Sequence, residues 1–246
     1  MSYNQDMEFR LPRQIIDPKI VEIVSREIRS QDLPITHVSK KRLKELAEIV
    51  EVIVRQGTPA HLICKKLPHK LGYGLFLAPD AKPIQRHELI APYAGEVSIV
   101  PENAPDDTGY AFSPISSFHL KKEEQAYFDP KNRYHPRRLY SLKLDALHKG
   151  NFARFINHSA KPNVVACAFS TPKKNPYGLA PMPVEILYIA KKTIHPGEQL
   201  LVCYEEEEDS YWGALGIEPF PMDAKTFQLS KSLEVVRNKP NSSKNR

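Results

Sequence analysis

Asn151-Phe-Ala-Arg-Phe-Ile-Asn-His-Ser-Ala-Lys-Pro-Asn163 decides how this chain is read. Phe152, Phe155 and Ile156 ask for burial, yet Arg154, Asn157, His158 and Asn163 stand among them with donors and acceptors. Leaving such a group buried and unpaired costs about 1–3 kcal/mol. A stretch that crowds them together satisfies them in one of two ways. Either it forms a tight turn in which Asn and His bond the local backbone, or it faces a polar ligand. The rest of the chain separates the two.

Three further motifs flank the stretch. Gly72-Tyr-Gly74 lies within residues 71–77, and Tyr93-Ala-Gly-Glu96 lies within residues 90–97. Downstream comes Gly197-Glu-Gln-Leu-Leu-Val-Cys-Tyr204. A lone G-x-G is weak evidence; its physical use is to bring bare backbone N–H groups close to a carboxylate. Four motifs in this order are much more specific, and together they resemble the SET-domain methyltransferases. The family pattern R-F-I-N-H-S-C-x-P-N is matched at Arg154 to Ser159, Pro162 and Asn163, with Ala160 at the usual cysteine. In the closing pattern G-E-E-L-x-x-D-Y, Gln199 replaces the second Glu and Cys203 the Asp. The likeness spans about residues 60–212.

The resemblance implies an α+β, mostly β fold of short sheets around a pseudoknot, in which the segment from Arg154 to Asn163 passes through a loop near the last strand. It implies N-terminal helices in residues 1–58, a SET domain in 59–212, and a C-terminal helical segment and tail in 213–246. The implied activity is transfer of a methyl group from S-adenosylmethionine to the side-chain amine of a protein lysine, a histone being one candidate. Tyr204 is then the key hydroxyl and Tyr93 the second wall of the amine channel. The cofactor falls to Leu71, Gly72, Tyr73 and Gly74 at its methionine end, with Tyr110, Arg154, Phe155, Asn157 and His158 around the remainder. Trp212, the one tryptophan, is expected to stack on the adenine; a helix residue covering the core is the plain alternative. The compact form resembles small single-domain SET proteins of intracellular bacteria. It lacks the cysteine-rich segment that follows the tyrosine in many chromatin enzymes. Two other readings compete: a SET-like binding module without catalysis, and a basic nucleic-acid-binding protein.

The residue types suit the chemistry. A lysine must be neutral to attack, and holding it so at pH 7 costs about 4.6 kcal/mol against its free pKa. A narrow apolar channel lowers that pKa by desolvation. Tyrosine supplies an apolar body and one hydroxyl to orient the amine. Side chains alternate along a strand, so Leu200, Val202 and Tyr204 share a face and Cys203 points away. In the family, an aromatic residue two places before the closing tyrosine restricts how many methyls are added. Here that place holds Val202, which implies di- or trimethyl product.

Composition agrees with an irregular β domain. Of 246 residues, 41% are hydrophobic, with 22 prolines against 10 glycines, which favours loop-rich β structure over a bundle. Net charge is +6, a balance that permits contact with nucleic acid without establishing it. Cys64, Cys167 and Cys203 make no C-x-x-C pair, so no structural zinc site and a reduced, intracellular compartment are expected. The nucleus or a host cell is compatible with that. No apolar run is long enough to span a bilayer, so no membrane partner is expected, and the N-terminus has no signal-peptide pattern.

Local patterns fill in the remainder. Asp17-Pro18 is a helix start, with Ile20, Val21, Val24 and Ile28 at helical spacing. A second helix is predicted over residues 39–56, carrying Leu43, Leu46, Ala47, Val50 and Ile53 on one face, with Gly57 as its stop. Its Lys40-Lys-Arg-Leu-Lys44 reads as a solvated face, with a nuclear-import signal as the alternative. Strands are expected at 71–77, 90–97, 140–146, 163–169, 184–191 and 199–205. The fourth and fifth form a hairpin. Residues 98–113 read as an acidic, Pro-rich turn before Tyr110-Ala-Phe112. Residues 114–148 read mostly as an insert with the basic cluster His135-Pro-Arg-Arg138, taken as a solvated loop. Residues 1–10 and 238–246 read as disordered.

The acidic run Glu205-Glu-Glu-Glu-Asp209 suits the first turn of a helix, where it meets the dipole. Beside a channel mouth it would also concentrate a cationic peptide, an effect screened by salt over about 10 Å at 0.1 M. Replacing Glu206, Glu207 and Glu208 with Gln is expected to raise KM for a basic peptide and flatten its salt dependence, with kcat little changed. A salt series of initial rates checks this; parallel curves with equal KM return the run to a plain helix start.

Overall fold

The computed structural model describes residues 10–33, 35–69, 71–104, 109–204 and 220–229. Helix α1, Pro18–Ser30, starts where expected: the Asp17 carboxylate accepts from the Lys19 N–H at 2.8 Å and Pro18 opens the first turn. A two-residue strand, β1 (Thr36–His37), precedes α2 (Lys40–Gln56). Ser39 caps α2, and Gly57 at φ +78° ends it in a backbone conformation that a side chain would strain. Lys40, Lys41 and Lys44 lie on its exposed face.

The strands follow in short pieces: β2 (Leu62–Lys66), β3 (Tyr73–Leu77), β4 (Leu89–Pro92), β5 (Glu96–Pro101) and β6 (Ala111–His119). After helix α3 (Lys122–Phe128) come β7 (Leu139–Asp145), a single 3₁₀ turn at Phe152–Phe155, and β8 (Asn157–His158). The hairpin β9 (Val164–Thr171) and β10 (Met182–Ala190) precedes β11 (Leu201–Val202). Four sheets result, in the orders β1-β9-β10-β4, β5-β7-β6, β2-β3 and β11-β8. Three hydrophobic clusters bind them together. Ile20, Ile23 and Val24 of α1 pack with Ile99, Phe118 and Leu142. Leu43 and Leu46 of α2 pack with Leu187 and Ile189. Ile53 joins the largest cluster, with Leu75, Tyr93, Phe152, Tyr188 and Val202. The N-terminal helices therefore share their cores with the β-sheets.

Several expectations are corrected. The segment at residues 90–97 divides: β4 ends at Pro92 and a new strand begins at Glu96. Gly95 makes the corner, where a Cβ would run into the Asp145 carbonyl. Residues 98–101 complete β5, paired along its length with β7, and the expected acidic turn follows at residues 102–104. Residues 114–148 are no loose insert, since β6, α3 and β7 account for most of them. Arg138 of the basic cluster is bound to Asp129 at 2.8 Å. The last strand is shorter than predicted, because Gln199 only bridges Phe76 and regular pairing is confined to Leu201–Val202. Residues 220–229 form turns rather than a helix.

The predicted crossing rests on one set of hydrogen bonds. β8 and β11 pair in parallel, Asn157 beside Leu201 and His158 beside Val202. The Asn163 side chain donates to Gln199 O at 2.8 Å and accepts from Leu201 N at 2.8 Å. Its backbone N–H donates to Leu201 O at 3.0 Å, and Ser159 N–H donates to Val202 O at 2.9 Å. Asn163 is fully buried. Asn163→Ala would orphan a buried N–H and a buried carbonyl, so a loss of roughly 2–4 kcal/mol is expected. Urea denaturation of parent and variant measures it; a midpoint unchanged within error would contradict this role.

Candidate functional site

The crossing sets the chain leaving β11 beside β8, and Tyr204 takes its place from both. Its backbone N–H donates to His158 Nδ1 at 3.1 Å, and its hydroxyl donates to Ile156 O at 3.0 Å. Because Nδ1 of His158 accepts, the neutral ring carries its hydrogen on Nε2. The two rings lie 5.5 Å apart. Leu200 and Val202 enter the main core together with Tyr204, as the alternation predicted, and Cys203 stays outside that cluster.

Tyr93 stands just past β4, its backbone N–H donating to Ile186 O at 2.8 Å. Its hydroxyl donates to Tyr110 O at 2.6 Å, and only 4% of the residue is exposed. Phe112 meets its ring edge-on at 4.8 Å and Tyr188 lies at 5.7 Å. Burial, and then the neighbouring Tyr204, pushes the Tyr93 hydroxyl well above the ordinary tyrosine range. Burial does the same to Tyr188, reinforced by Tyr93 and Tyr204. The three phenols therefore lie within reach of one another's fields, and Tyr93 also feels the charges of Arg154 and Asp145.

The proposed cofactor residues form two groups around this centre. In the first, the Asn157 amide donates to Tyr73 O at 2.8 Å, and the Tyr73 and Phe155 rings lie 5.9 Å apart. Asn157 and Tyr73 are half-buried, and Gly72 is exposed. Leu71 N–H donates to Pro68 O at 3.1 Å, and Gly72 O accepts from Leu67 N–H at 2.8 Å. Gly74 is a glycine for a packing reason, since a Cβ there would lie 2.6 Å from Gln199 Nε2. In the second group, Arg154 Nη1 donates to Ala146 O at 2.6 Å and to Leu147 O at 2.8 Å. Its guanidinium sits 4.1 Å from the Tyr110 ring centre. The arginine therefore holds Tyr110 in place and is itself 5% exposed. Trp212 and the run Glu205 to Asp209 lie outside the described residues.

The donor set fits an amino-acid ligand bearing a positive charge and a flat ring. Asn157 is half-buried, and the bond from its amide N–H to Tyr73 O fixes the orientation of the side chain. Gly72, at φ +75°, has open space where a side chain would stand. Tyr73, next in the chain, brings its ring within 5.9 Å of Phe155. A cleft of about 370 Å³ between residues 65–68 and 225–228 adjoins the Gly72 turn through Leu67. None of the three tyrosines lines it, so it is not the amine channel.

Sequence reading missed two contributors. The first is an N-terminal strap. Leu11 N–H donates to Gly150 O at 3.1 Å, Ile15 N–H donates to Gly95 O at 2.9 Å, and Val97 N–H donates to Ile15 O at 3.0 Å. It thus ties the corner after Tyr93 to the start of the 151–163 segment. Arg13 anchors it through a buried, two-pronged pair with Glu185 at 2.7 and 2.8 Å. The second is Tyr188, which lies within a continuous apolar run and gives no signal of its own. The segment 220–229 also returns to the crossing: Ala224 O accepts from Gln199 N–H at 2.9 Å, and Ser159 Oγ bonds Met222 O.

Among the described residues, no helix is long and apolar enough to cross a membrane. A model of the SET domain matches residues 72–205 of the chain. A protein of Arabidopsis thaliana, ASHH4, whose name provisionally assigns it as a histone-lysine N-methyltransferase, is 28% identical over 151 residues. That match covers 59% of this chain and 35% of that protein, so the chain spans about a third of its curated relative's length. Among solved structures, ATXR5 in complex with mono-methylated histone H3.1 aligns with a TM-score of 0.50 at 17% identity. It covers 86% of this chain and 81% of that one, a likeness of fold. SUVH6 of Arabidopsis thaliana in complex with SAM aligns at 0.40 and 21% identity, covering 63% and 29%.

The buried phenols make stability depend on alkaline pH. In the unfolded chain Tyr93 and Tyr188 ionise near pH 10, while in the fold they hold their protons to higher pH. The unfolded form therefore loses protons first. Stability is full below about pH 10 and falls as pH rises beyond it. Thermal melts across this range are expected to show a shallower alkaline decline for Tyr93→Phe than for the parent. Equal declines would contradict the burial of this hydroxyl.

Proposed function

Since the chain belongs to the SET-domain family, we propose that it transfers a methyl group from S-adenosylmethionine to the side-chain amine of a protein lysine. The observation that carries the reading is the way Tyr204 and Tyr93 are held. Each donates its hydroxyl hydrogen to a backbone carbonyl, Ile156 O and Tyr110 O respectively. A hydroxyl oxygen that gives its hydrogen away keeps the capacity to accept one. Two fixed acceptors in an apolar wall suit a neutral amine, whose N–H hydrogens they orient so that its lone pair faces the methyl donor. When bound, the cofactor supplies an electrophilic methyl on a sulfonium.

The chain's own residues do the remainder. The apolar surroundings of Tyr93 disfavour the ammonium form and so lower the lysine pKa. Fixed orientation turns an encounter into an aligned attack. Direct transfer requires no covalent enzyme intermediate. Asn157 and the open Gly72 turn receive the methionine part. Tyr110, steadied by Arg154, and Phe155 flank the remainder, with Trp212 as the proposed adenine partner. His158 positions Tyr204.

A histone is the first substrate to try. The ASHH4 relative carries that activity in its name, and the ATXR5 structure contains histone H3.1. The acidic run after Tyr204 has the charge to receive a basic tail. Tyr204→Phe is expected to lower kcat by at least about 100-fold while leaving the cofactor Kd unchanged. Calorimetry with S-adenosylmethionine beside turnover on core histones provides both numbers. Unchanged turnover would overturn the role of Tyr204, and loss of cofactor binding would make it structural.

A further inference from the structure

We propose that the loop joining α3 to β7 is a docking site for the phosphodiester backbone of nucleic acid, separate from the methyl-transfer site. The stretch Pro130-Lys-Asn-Arg-Tyr-His-Pro-Arg-Arg138 sets lysine and arginine around one tyrosine, and no acidic residue occurs from Pro130 to Leu144. A run of like charges is ordinarily a solvated loop. This one differs in how firmly it is held.

Two tight turns shape it. Asn132 N–H donates to Asp129 O at 3.2 Å, and Arg138 N–H donates to His135 O at 3.1 Å. Each turn has proline second, Pro130 and Pro136, the residue that pre-sets such a bend. Each puts a cation third, Lys131 and Arg137. The Asp129 carboxylate, 8% exposed, fastens both ends: it accepts from the Asn132 amide at 2.7 Å and from Arg138 Nη1 at 2.8 Å. In mid-loop the His135 N–H donates to Oε1 of the buried Gln125 at 2.8 Å.

Arg138 belongs to this frame, but Lys131, Arg133 and Arg137 do not. They are exposed, and among the described residues none of them meets an acid. Of the acids on adjoining elements, Asp129 is taken by Arg138, Glu124 by Arg26 and Glu102 by Ser117. Glu123 lies in the first turn of α3, at its far end. Three cations held together in a fixed array repel one another, and a polyanion relieves that repulsion. Because the frame is already ordered, binding orders little more. The planar forks of the two arginines suit phosphate oxygens. Tyr134, 41% exposed between Arg133 and His135, offers a ring on which a base can stack. An acidic protein would satisfy the charges and leave the exposed ring without a role; nucleic acid accounts for both. From this loop β7 runs seven residues to Asp145, which pairs with Glu96 and Ala111 near Tyr93 and Tyr110. That length sets the loop about 20 Å from the tyrosines.

Fluorescence anisotropy with a short labelled single strand and with its duplex tests the proposal. Replacing Lys131, Arg133 and Arg137 together with Gln is expected to weaken binding at least about tenfold at low salt and to reduce the slope of log Kd against log salt by about 2 to 3. Replacing Lys40, Lys41 and Lys44 with Gln removes the same charge from the exposed face of α2 and is expected to cost less than about threefold. All six side chains are exposed, so both melting temperatures should hold. Tyr134→Ala identifies the strand: a loss of at least about fivefold for the single strand alone makes an unpaired strand the ligand, and no loss makes it the duplex. Absence of binding at low salt, or equal losses from the two triple variants, would overturn the proposal. Competition by polyglutamate equal to that of unlabelled nucleic acid at matched charge would also overturn it, and assign the loop to an acidic protein.

Discussion

The parallel contact between β8 and β11, locked by the Asn163 side chain, is the constraint on which the rest depends. It joins segments that are distant in sequence, and the side-chain bonds that lock it are buried. Because His158 sits in one strand and Tyr204 follows the other, the contact fixes the hydroxyl that the proposed chemistry uses. Ile156 O and His158 Nδ1 hold Tyr204 at two points, ring end and backbone. A shift of one residue in this pairing would send Tyr204 to the other face. The polar groups crowded into residues 151–163 are therefore explained twice: Asn163 and Ser159 by the crossing, Asn157 and His158 by the site.

Around this contact the chain places the largest of its hydrophobic clusters. Three tyrosines reach one region from β4, β10 and β11, and at least two of them are held neutral by burial. That is the environment in which an ammonium is disfavoured and a neutral amine can persist. The strap anchored by Arg13 and Glu185 braces the corner beside Tyr93. Removing one member of that pair would leave a buried charge without its partner, the costly way to break such a pair. An element remote in sequence thereby acts on the geometry around Tyr93.

Local chemistry was legible in the sequence, and long-range contact was not. Asp17-Pro18, Ser39 and Gly57 predicted both long helices because caps act within a turn. The motifs located Tyr204, Tyr93, Asn157 and His158 because each sits inside a recognisable run. The strand expected at 90–97 was not carried on through residues 98–101, because it is pairing with β7 that makes them part of β5. β1 is two residues long and exists through its partner β9. Arg13 looked like any charged residue near a terminus until Glu185, far along the chain, was seen to receive it. Tyr188 was hidden in an apolar strand, where periodicity sees a ring and cannot see a hydroxyl.

The central claim is that this arrangement moves a methyl group to a lysine amine. The direct measurement is incubation of the protein with isotopically labelled S-adenosylmethionine, core histones and a cell lysate, followed by mass spectrometry of the digested products. The account predicts label on lysine side-chain nitrogen, absent when Tyr204→Phe replaces the parent. Cofactor bound with measurable affinity, and no labelled lysine in any protein, would contradict it and leave a binding module in its place.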